Sequence, residues 1–349
     1  MHKRCSPTIV LMFALWIAPT ASYGQTMTVH FIDVGQADAT LLEFPCGAIL
    51  IDAGSQSKWY TGRLVSYLRK FFERRDDLEG TLDVVFITHP HVDHNRALQR
   101  IMDEFQVDRY IDNGWTQGGG ARPARWVRKQ IEEGNLDTKL TEITDDQITA
   151  LNNRNGLTNG EIDPIRCETC DPRIRILSSR QLDNPGWPYG AFSNPNNHSI
   201  AVRVDFGQSS FLFTGDLQDP AIETMVEWYG GTGELDVDVY QVGHHGAENG
   251  TTESLLEAMT PEMAVISCGK ASSRGNRTAH TFGHPRKTTV ILLENHVNGI
   301  RAPSRVKVAT GVKKFETRTI TKEIYATGWD GTVRIQGRLD ADPIRLVDP

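Results

Sequence analysis

The apolar run LDVVFI ends at Ile87 and leads straight into THPHVDHN, residues 88–95, which holds three of the chain's eleven histidines and an aspartate within six positions. A short apolar run bounded by polar residues reads as a buried strand. Just past a strand the backbone is still extended, so residues two apart face the same way. His89 and His91 can therefore close on one point. The chain then turns into a helix beginning near Asn95, which swings Asp93 and His94 toward a neighbouring point. Imidazole and carboxylate suit zinc and related divalent cations. Helix capping accounts for Asp93 and leaves three histidines without a reason. The segment thus predicts two adjacent cation sites, each given two ligands here and completed from elsewhere.

Three later segments can complete them. FLFTGD ends on Asp216, whose two carboxylate oxygens can bridge two cations, with Gly215 allowing a close turn. VGHHG, 242–246, again follows a strand. Adjacent histidines on extended backbone point apart, so one is read as a ligand, His244, with His245 facing substrate; the exchange of the two stays open. His198, in NPNNHSIAVRV, sits at the mouth of a strand among turn-forming asparagines. The histidine-rich set predicts two divalent ions per chain, Zn2+ first, while the carboxylates admit Mn2+. Metal-bound histidines need their second ring nitrogen held by an acceptor. Asp52 in LIDAG, and Asp33 or Asp38 in FIDVGQAD, are placed for that at strand ends.

The 349 residues carry a formal charge of −7, which argues against a protein coated with positive charge to grip nucleic acid and leaves room for a local basic groove. Residues 1–24 read as a signal peptide: a basic start (HKR), a ten-residue apolar core (IVLMFALWIA), then small residues. That core is too short to span a bilayer comfortably. The expectation is an exported protein, periplasmic or secreted, with no stable membrane insertion after processing. Nothing in the sequence points to a protein partner. Four cysteines remain beyond that segment, Cys46, Cys167, Cys170 and Cys268. The C-E-T-C pair reads as a short-loop disulfide or two free thiols, since no second such pair exists to finish a zinc knuckle.

Strand-like runs at 28–34, 40–44, 48–51, 82–88 and 109–111 are interleaved with helical spacing at 59–75 and 95–105. A polar stretch, 113–172, reads as an insertion or connection, with a basic helix at 124–133 inside it. Strands then return at 173–177, 199–206, 210–213, 237–242, 264–267 and 332–336, with helices at 220–229, 254–259 and 287–294 between them. No linker separates domains, so 25–349 reads as one α/β (or α+β) domain, two mixed sheets facing each other with helices outside.

HxHxDH followed by TGD and a later histidine resembles the metallo-β-lactamase superfamily. More closely, HFIDVGQADATLLEFP, ILIDAG, THPHVDHN, NNHSIAVRVDFGQSSFLFTGD, VGHHGA and TFGHP are similar, in order, to ComEC-type competence hydrolase domains and their stand-alone exported relatives. The likeness runs from Val29 to about Val333, poorly over 113–172. It implies an αβ/βα four-layer sandwich with a two-metal site on one edge, and puts His89, His91, Asp93, His94, Asp216 and His244 at metal-ligand positions. His198 falls where the wider superfamily has its remaining histidine. Ala37 stands where a glycine is usual, and Ala247 where a serine follows HHG.

Two cations lower the pKa of a water between them and offset charge on an electrophile. The expectation is therefore a hydrolase, in the ComEC-like resemblance a phosphodiesterase or nuclease acting on DNA or another phosphodiester polymer. Asp93, His245 and His284 are read as taking part in the chemical step. Arg274, Arg277, Arg286 and Lys287 are read as a positive rim for substrate. A hydrolase of cyclic amides or esters is the alternative, and a non-catalytic metal-binding scaffold a further one.

Overall fold

The computed structural model describes residues 26–168, 170–339 and 344–347, so the expected signal peptide lies outside the described residues. Strands buried on both faces need near-continuous apolar runs, and GAILI, VVFI and MAVI supply them, every residue buried. They belong to two mixed sheets. The larger has eight strands, in the order Ile344–Val347, Val333–Arg338, Thr26–Phe31, Thr40–Phe44, Gly47–Ile51, Val84–Ile87, Arg109–Asp112 and Lys139–Glu142. From Gly47–Ile51 onward its pairings are parallel. The smaller has six: Ile324–Ala326, Met263–Ile266, Val239–Gln241, Ser209–Phe213, Ala201–Phe206 and Arg173–Ser178. Its first four are mutually parallel.

Alternation along each strand divides the apolar residues between layers. Val29, Phe31, Ile49, Ile51, Val84 and Phe86 face Val202, Val204, Phe211, Phe213, Val239 and Val265 across the gap between the sheets. Leu41, Leu50 and Val85 point the other way, onto the helices Lys58–Arg74 and Leu98–Glu104. Leu212, Tyr240, Ala264 and Ile266 do the same for Asp219–Tyr229, Glu253–Met259 and Lys287–His296. Two sheets inside and helices outside make four layers, the metallo-β-lactamase fold expected from the sequence.

Three sequence readings differ from the structure. Residues 113–172, read as an insertion or connection, are built into the layers. The helix Arg122–Glu132 packs on Leu98–Glu104, Lys139–Glu142 adds the edge strand, and Ile143, Ile148, Ile162 and Ile165 close the inter-sheet core. Their polarity is that of a sheet edge. The disulfide joins Cys46 to Cys167, tying this segment to a strand turn 121 residues earlier, while Cys170 and Cys268 stay free. The ribbon Ile300–Gly311 with Lys314–Lys322 is an unanticipated element, because only Val306, Val308, Ala309 and Ile320 of it are buried.

In parallel strands all carboxyl ends emerge on one edge. Here Asp52, Thr88 and Asn113 follow three parallel strands of the large sheet, and Thr214, Val242, Ser267 and Thr327 follow four of the small one. Seven short ends, brought to one rim, carry most of the residues singled out from the sequence.

Candidate metal centre

The rim is laced by backbone hydrogen bonds before any side chain is considered. Asp38 N donates to Asp93 O (3.0 Å), Ala53 N to His94 O (2.8 Å) and Gly54 N to Asp38 O (2.7 Å). Three segments distant in sequence thus share one surface. A Cβ on Gly54 would lie 1.6 Å from the Asp93 carbonyl oxygen, so only glycine permits the contact.

Asp216 sits at the centre. Its Oδ1 faces His94 Nε2 at 3.2 Å and His245 Nε2 at 3.7 Å; its Oδ2 faces His89 Nε2 at 3.7 Å and His244 Nε2 at 3.8 Å. Asp93 Oδ2 lies 3.7 Å from His245 Nε2. His91 Nδ1 meets His89 Nε2 at 3.1 Å. Among the triads whose ligand atoms all lie within 4.8 Å of one another are His89–His94–Asp216 and Asp93–His94–His245. Gly215, at φ 54°, lets the TGD turn lie against Thr88, where a Cβ would meet Thr88 Oγ1 at 2.8 Å.

The outer hydrogen bonds fix which ring nitrogen points inward. Asp52, itself in the left-handed region at φ 60°, accepts from Thr88 N (2.8 Å), Thr88 Oγ1 (2.9 Å) and His94 Nδ1 (2.6 Å). The Ser267 carbonyl accepts from His245 Nδ1 (2.8 Å), and Asn249 Oδ1 from His244 Nδ1 (3.0 Å). All three histidines therefore turn Nε2 toward Asp216, the orientation that carboxylate and carbonyl acceptors impose on metal ligands. Burial opposes charge on Asp216, but His94, His245 and His244 outweigh it and hold the carboxyl well below its usual range. Burial likewise opposes a proton on His94 and His245, yet Asp216 with Asp52 or Asp93 raises both, His245 to about 9. Burial keeps His89 and His91 below the ordinary histidine range.

Asp216 Oδ1 is fully buried and makes no well-formed hydrogen bond, although imidazoles surround it. Such an oxygen is costly to leave unmatched. Buried nitrogens and oxygens that converge without pairing off suit a cation, and the residues present fit the divalent ions expected.

The adjacent histidines correct the sequence reading. His245, expected to face substrate, is the more buried of the two and sits with Asp93 and His94. His244 keeps 21% of its side-chain exposure and takes the other Asp216 oxygen. The premise of extended backbone fails here: His244 and His245 both lie in the left-handed region (φ 50° and 55°), so the chain curls and presents both rings. His198 also departs. Its Nε2 donates to Phe192 O (2.7 Å) and its Nδ1 accepts from Gln181 N (3.2 Å), while Trp115 and Trp187 pack on the ring. With both nitrogens engaged and no contact to the cluster, it is not placed to hold a cation.

Of the two acids proposed in FIDVGQAD, Asp38 joins Asp52 and His94, and burial together with Asp52 raises it to about 6. Asp33 instead pairs with Arg63 and accepts from Gly35 N, which shapes the turn carrying Gln36. His284 lies beside His244 and His245, its Nδ1 accepting from Gln36 Nε2 at 3.2 Å. Burial and the neighbouring histidines lower it to about 3, so its ring is neutral. Of the rim cations, Lys287 pairs with Glu316 on the ribbon and Arg274 donates to the Ala271 carbonyl, while Arg277 is exposed and adds to burial in lowering Arg96. Arg286 bears on His284.

Sequence reasoning missed Thr88, Gln36 and Gln241. Gln241 Nε2 donates to both oxygens of Asp38 (2.8 and 2.9 Å). Its signal was visible as a polar residue closing a buried strand, since such a group must find a partner.

The layers and this rim define a metallo-β-lactamase superfamily protein: the model of that superfamily matches residues 32–270, and the chain belongs to it. Within it, the chain is related to bacterial competence proteins. It is 24% identical to ComE operon protein 3 of Bacillus subtilis over 330 residues, 90% of this chain and 36% of that one. It is 39% identical to Recombination protein 2 of Haemophilus influenzae over 269 residues, 76% of this chain and 27% of that one. The chain thus spans about a third of the length of these relatives. Among solved structures it is similar to the metallo-beta-lactamase fold protein YhfI from Bacillus subtilis, with TM-score 0.42 and 12% identity over 78% of this chain and 94% of that one.

Proposed function

We propose that this chain is a two-metal phosphodiesterase acting on nucleic acid or another phosphodiester polymer outside the cytoplasm. The observation that carries the reading is the two-sided Asp216. Asp93, His94 and His245 would hold one cation with its Oδ1, and His89, His91 and His244 the other with its Oδ2. Bound there, the cations would activate a shared water and offset negative charge on the phosphoryl group. The chain's own groups do the rest. Asp52 and the Ser267 carbonyl hold His94 and His245 in the tautomer that presents Nε2. Gln36 does the converse for His284: by donating to Nδ1 it leaves the proton on Nε2, available to a phosphoryl or leaving-group oxygen. Arg96, Arg277 and Arg286 give the approach a positive sign that favours a phosphodiester over a neutral ring amide or ester.

A relative named for recombination makes nucleic acid the first phosphodiester to test. The Cys46–Cys167 disulfide supports an oxidising compartment, because cytosolic thiols are kept reduced. Among the described residues no helix is long and apolar enough to cross a membrane. The deciding experiment offers the zinc- or manganese-loaded protein bis-p-nitrophenyl phosphate, single-stranded and plasmid DNA, RNA, a lactone and a β-lactam. Turnover of the phosphodiesters, lost in His89→Ala, is expected; turnover of the lactone or β-lactam alone would replace this reading with the cyclic amide or ester one.

A further inference from the structure

Behind the loop that carries His284 lies a second positively charged feature. A groove of about 560 Å³ runs between residues 270–280, the ribbon and the turn Gly328–Trp329–Asp330. Lys270, Arg274, Arg305, Lys307 and Lys313 line it, against one carboxylate, Asp330. That carboxylate already accepts from Arg301 (3.0 Å) and from Ala326 N (3.0 Å). Lys307 donates to Thr317 Oγ1 and Arg274 to a backbone carbonyl; no carboxylate pairs with any of the five cations among the described residues. In a chain of net charge −7 this is a local reversal of sign, and a concave one, which focuses the field.

Flat rings sit among the charges. His280 stacks on Phe315 at 5.9 Å and 15°, and Trp329 is held against the ribbon by its indole N–H on the Lys307 carbonyl. His280 Nδ1 is buried with no hydrogen-bond partner. Cations that track a phosphate chain and aromatic faces that stack on bases are together the recipe for single-stranded nucleic acid. A base-free polyanion would use the cations alone.

One loop separates the groove from the candidate metal centre. At its start Ser267 holds His245, and near its end His284 meets Gln36. Its other side is fastened to the ribbon: Lys313 N donates to His280 O (3.0 Å) and Ala309 N to Pro285 O (2.8 Å). The same loop therefore borders the candidate metal centre on one side and the groove on the other.

We propose that the groove binds single-stranded nucleic acid, with backbone phosphates on the five cations and bases against His280, Phe315 and Trp329. The role of this site in cleavage rests on the phosphodiesterase reading above; its binding does not. The test is fluorescence anisotropy of a labelled oligothymidylate with the full chain in a chelator, where no metal-dependent cleavage occurs. Affinity should fall steeply with salt. In Arg305→Gln/Lys307→Gln/Lys313→Gln it should drop at least about tenfold, and the log–log salt slope should become shallower by about 0.7 for each contact removed. Lys307→Arg/Lys313→Arg should bind like the wild type. Trp329→Leu should weaken binding about fivefold or more with the slope unchanged, the mark of a lost stack. Thermal unfolding monitors the fold; should the triple variant melt early, Arg305→Gln/Lys313→Gln, both exposed, is read in its place. Wild-type affinity and slope in the neutralised variants would overturn the proposal, as would equal affinity for inorganic polyphosphate. An oligonucleotide bound through these residues but never cut when metal is restored would support the groove and count only against the nuclease form of the phosphodiesterase reading.

Discussion

The two sides of Asp216 are built differently. On the Oδ1 side, His94 and His245 are buried and each is pinned by an acceptor at 2.6–2.8 Å, a carboxylate and a backbone carbonyl. Asp93 completes that side from a partly exposed position. On the Oδ2 side His89 is equally buried, but His91 is partly exposed, and His244 leans on a side-chain amide at 3.0 Å while its Nε2 also meets Asn196 Nδ2 at 3.4 Å. The two histidines of the first half are fixed in advance by groups that cannot move far. The other half opens toward solvent and to His284. A rigid, buried half suits permanent holding of a cation, and an open half suits exchange and substrate contact.

The largest effect should come from removing what the halves share. Asp216→Ala is expected to lower metal-dependent hydrolysis on the order of a thousandfold, the several kcal/mol that Lewis-acid stabilisation supplies. Steady-state assays with bis-p-nitrophenyl phosphate measure it. Next in size, Asp52→Asn should weaken one cation and not the other, by about 10- to 100-fold. Competition titration with a chromophoric chelator reads the two affinities separately, and equal weakening of both would erase the distinction between the halves. Third, His245→Ala should cost more affinity than His244→Ala in the same titration, because His245 is buried with Asp93 and His94. The reverse order would restore the ligand assignment expected from sequence.

The smallest effect on the metals sharpens the comparison from outside. His198→Ala should leave both metal affinities unchanged yet destabilise the fold by about 1–3 kcal/mol, since the Gln181 N–H and Phe192 carbonyl lose their partner. Urea unfolding and metal titration of one preparation separate the two outcomes. A loss of one metal equivalent would return His198 to the site.

Much of this rim was legible in the sequence because strand ends announce themselves. Polar residues that interrupt an apolar run must find partners, and His89, His91, Asp93, His94, Asp216 and Asp52 all stand at such interruptions. The two-sheet architecture followed from the same runs, buried on both faces. What escaped was set by tertiary geometry. The left-handed pair at His244 and His245 has no composition signal apart from its flanking glycines, so which ring is buried could not be read from alternation. His198 has the same residue type as a ligand, and only the Gln181 N–H and Phe192 carbonyl reveal a structural histidine. The ribbon was hidden by its exposure: with few buried positions, Ile300–Gly311 and Lys314–Lys322 lack the alternation that marks a strand packed on a core.

Metal content per chain, measured by inductively coupled plasma mass spectrometry after saturation with zinc or manganese and gel filtration, tests the shared carboxylate most directly. Two equivalents are expected in the wild type, with loss of both, or nearly so, in Asp216→Ala. Two equivalents retained by Asp216→Ala, or none bound by the wild type, would contradict that expectation.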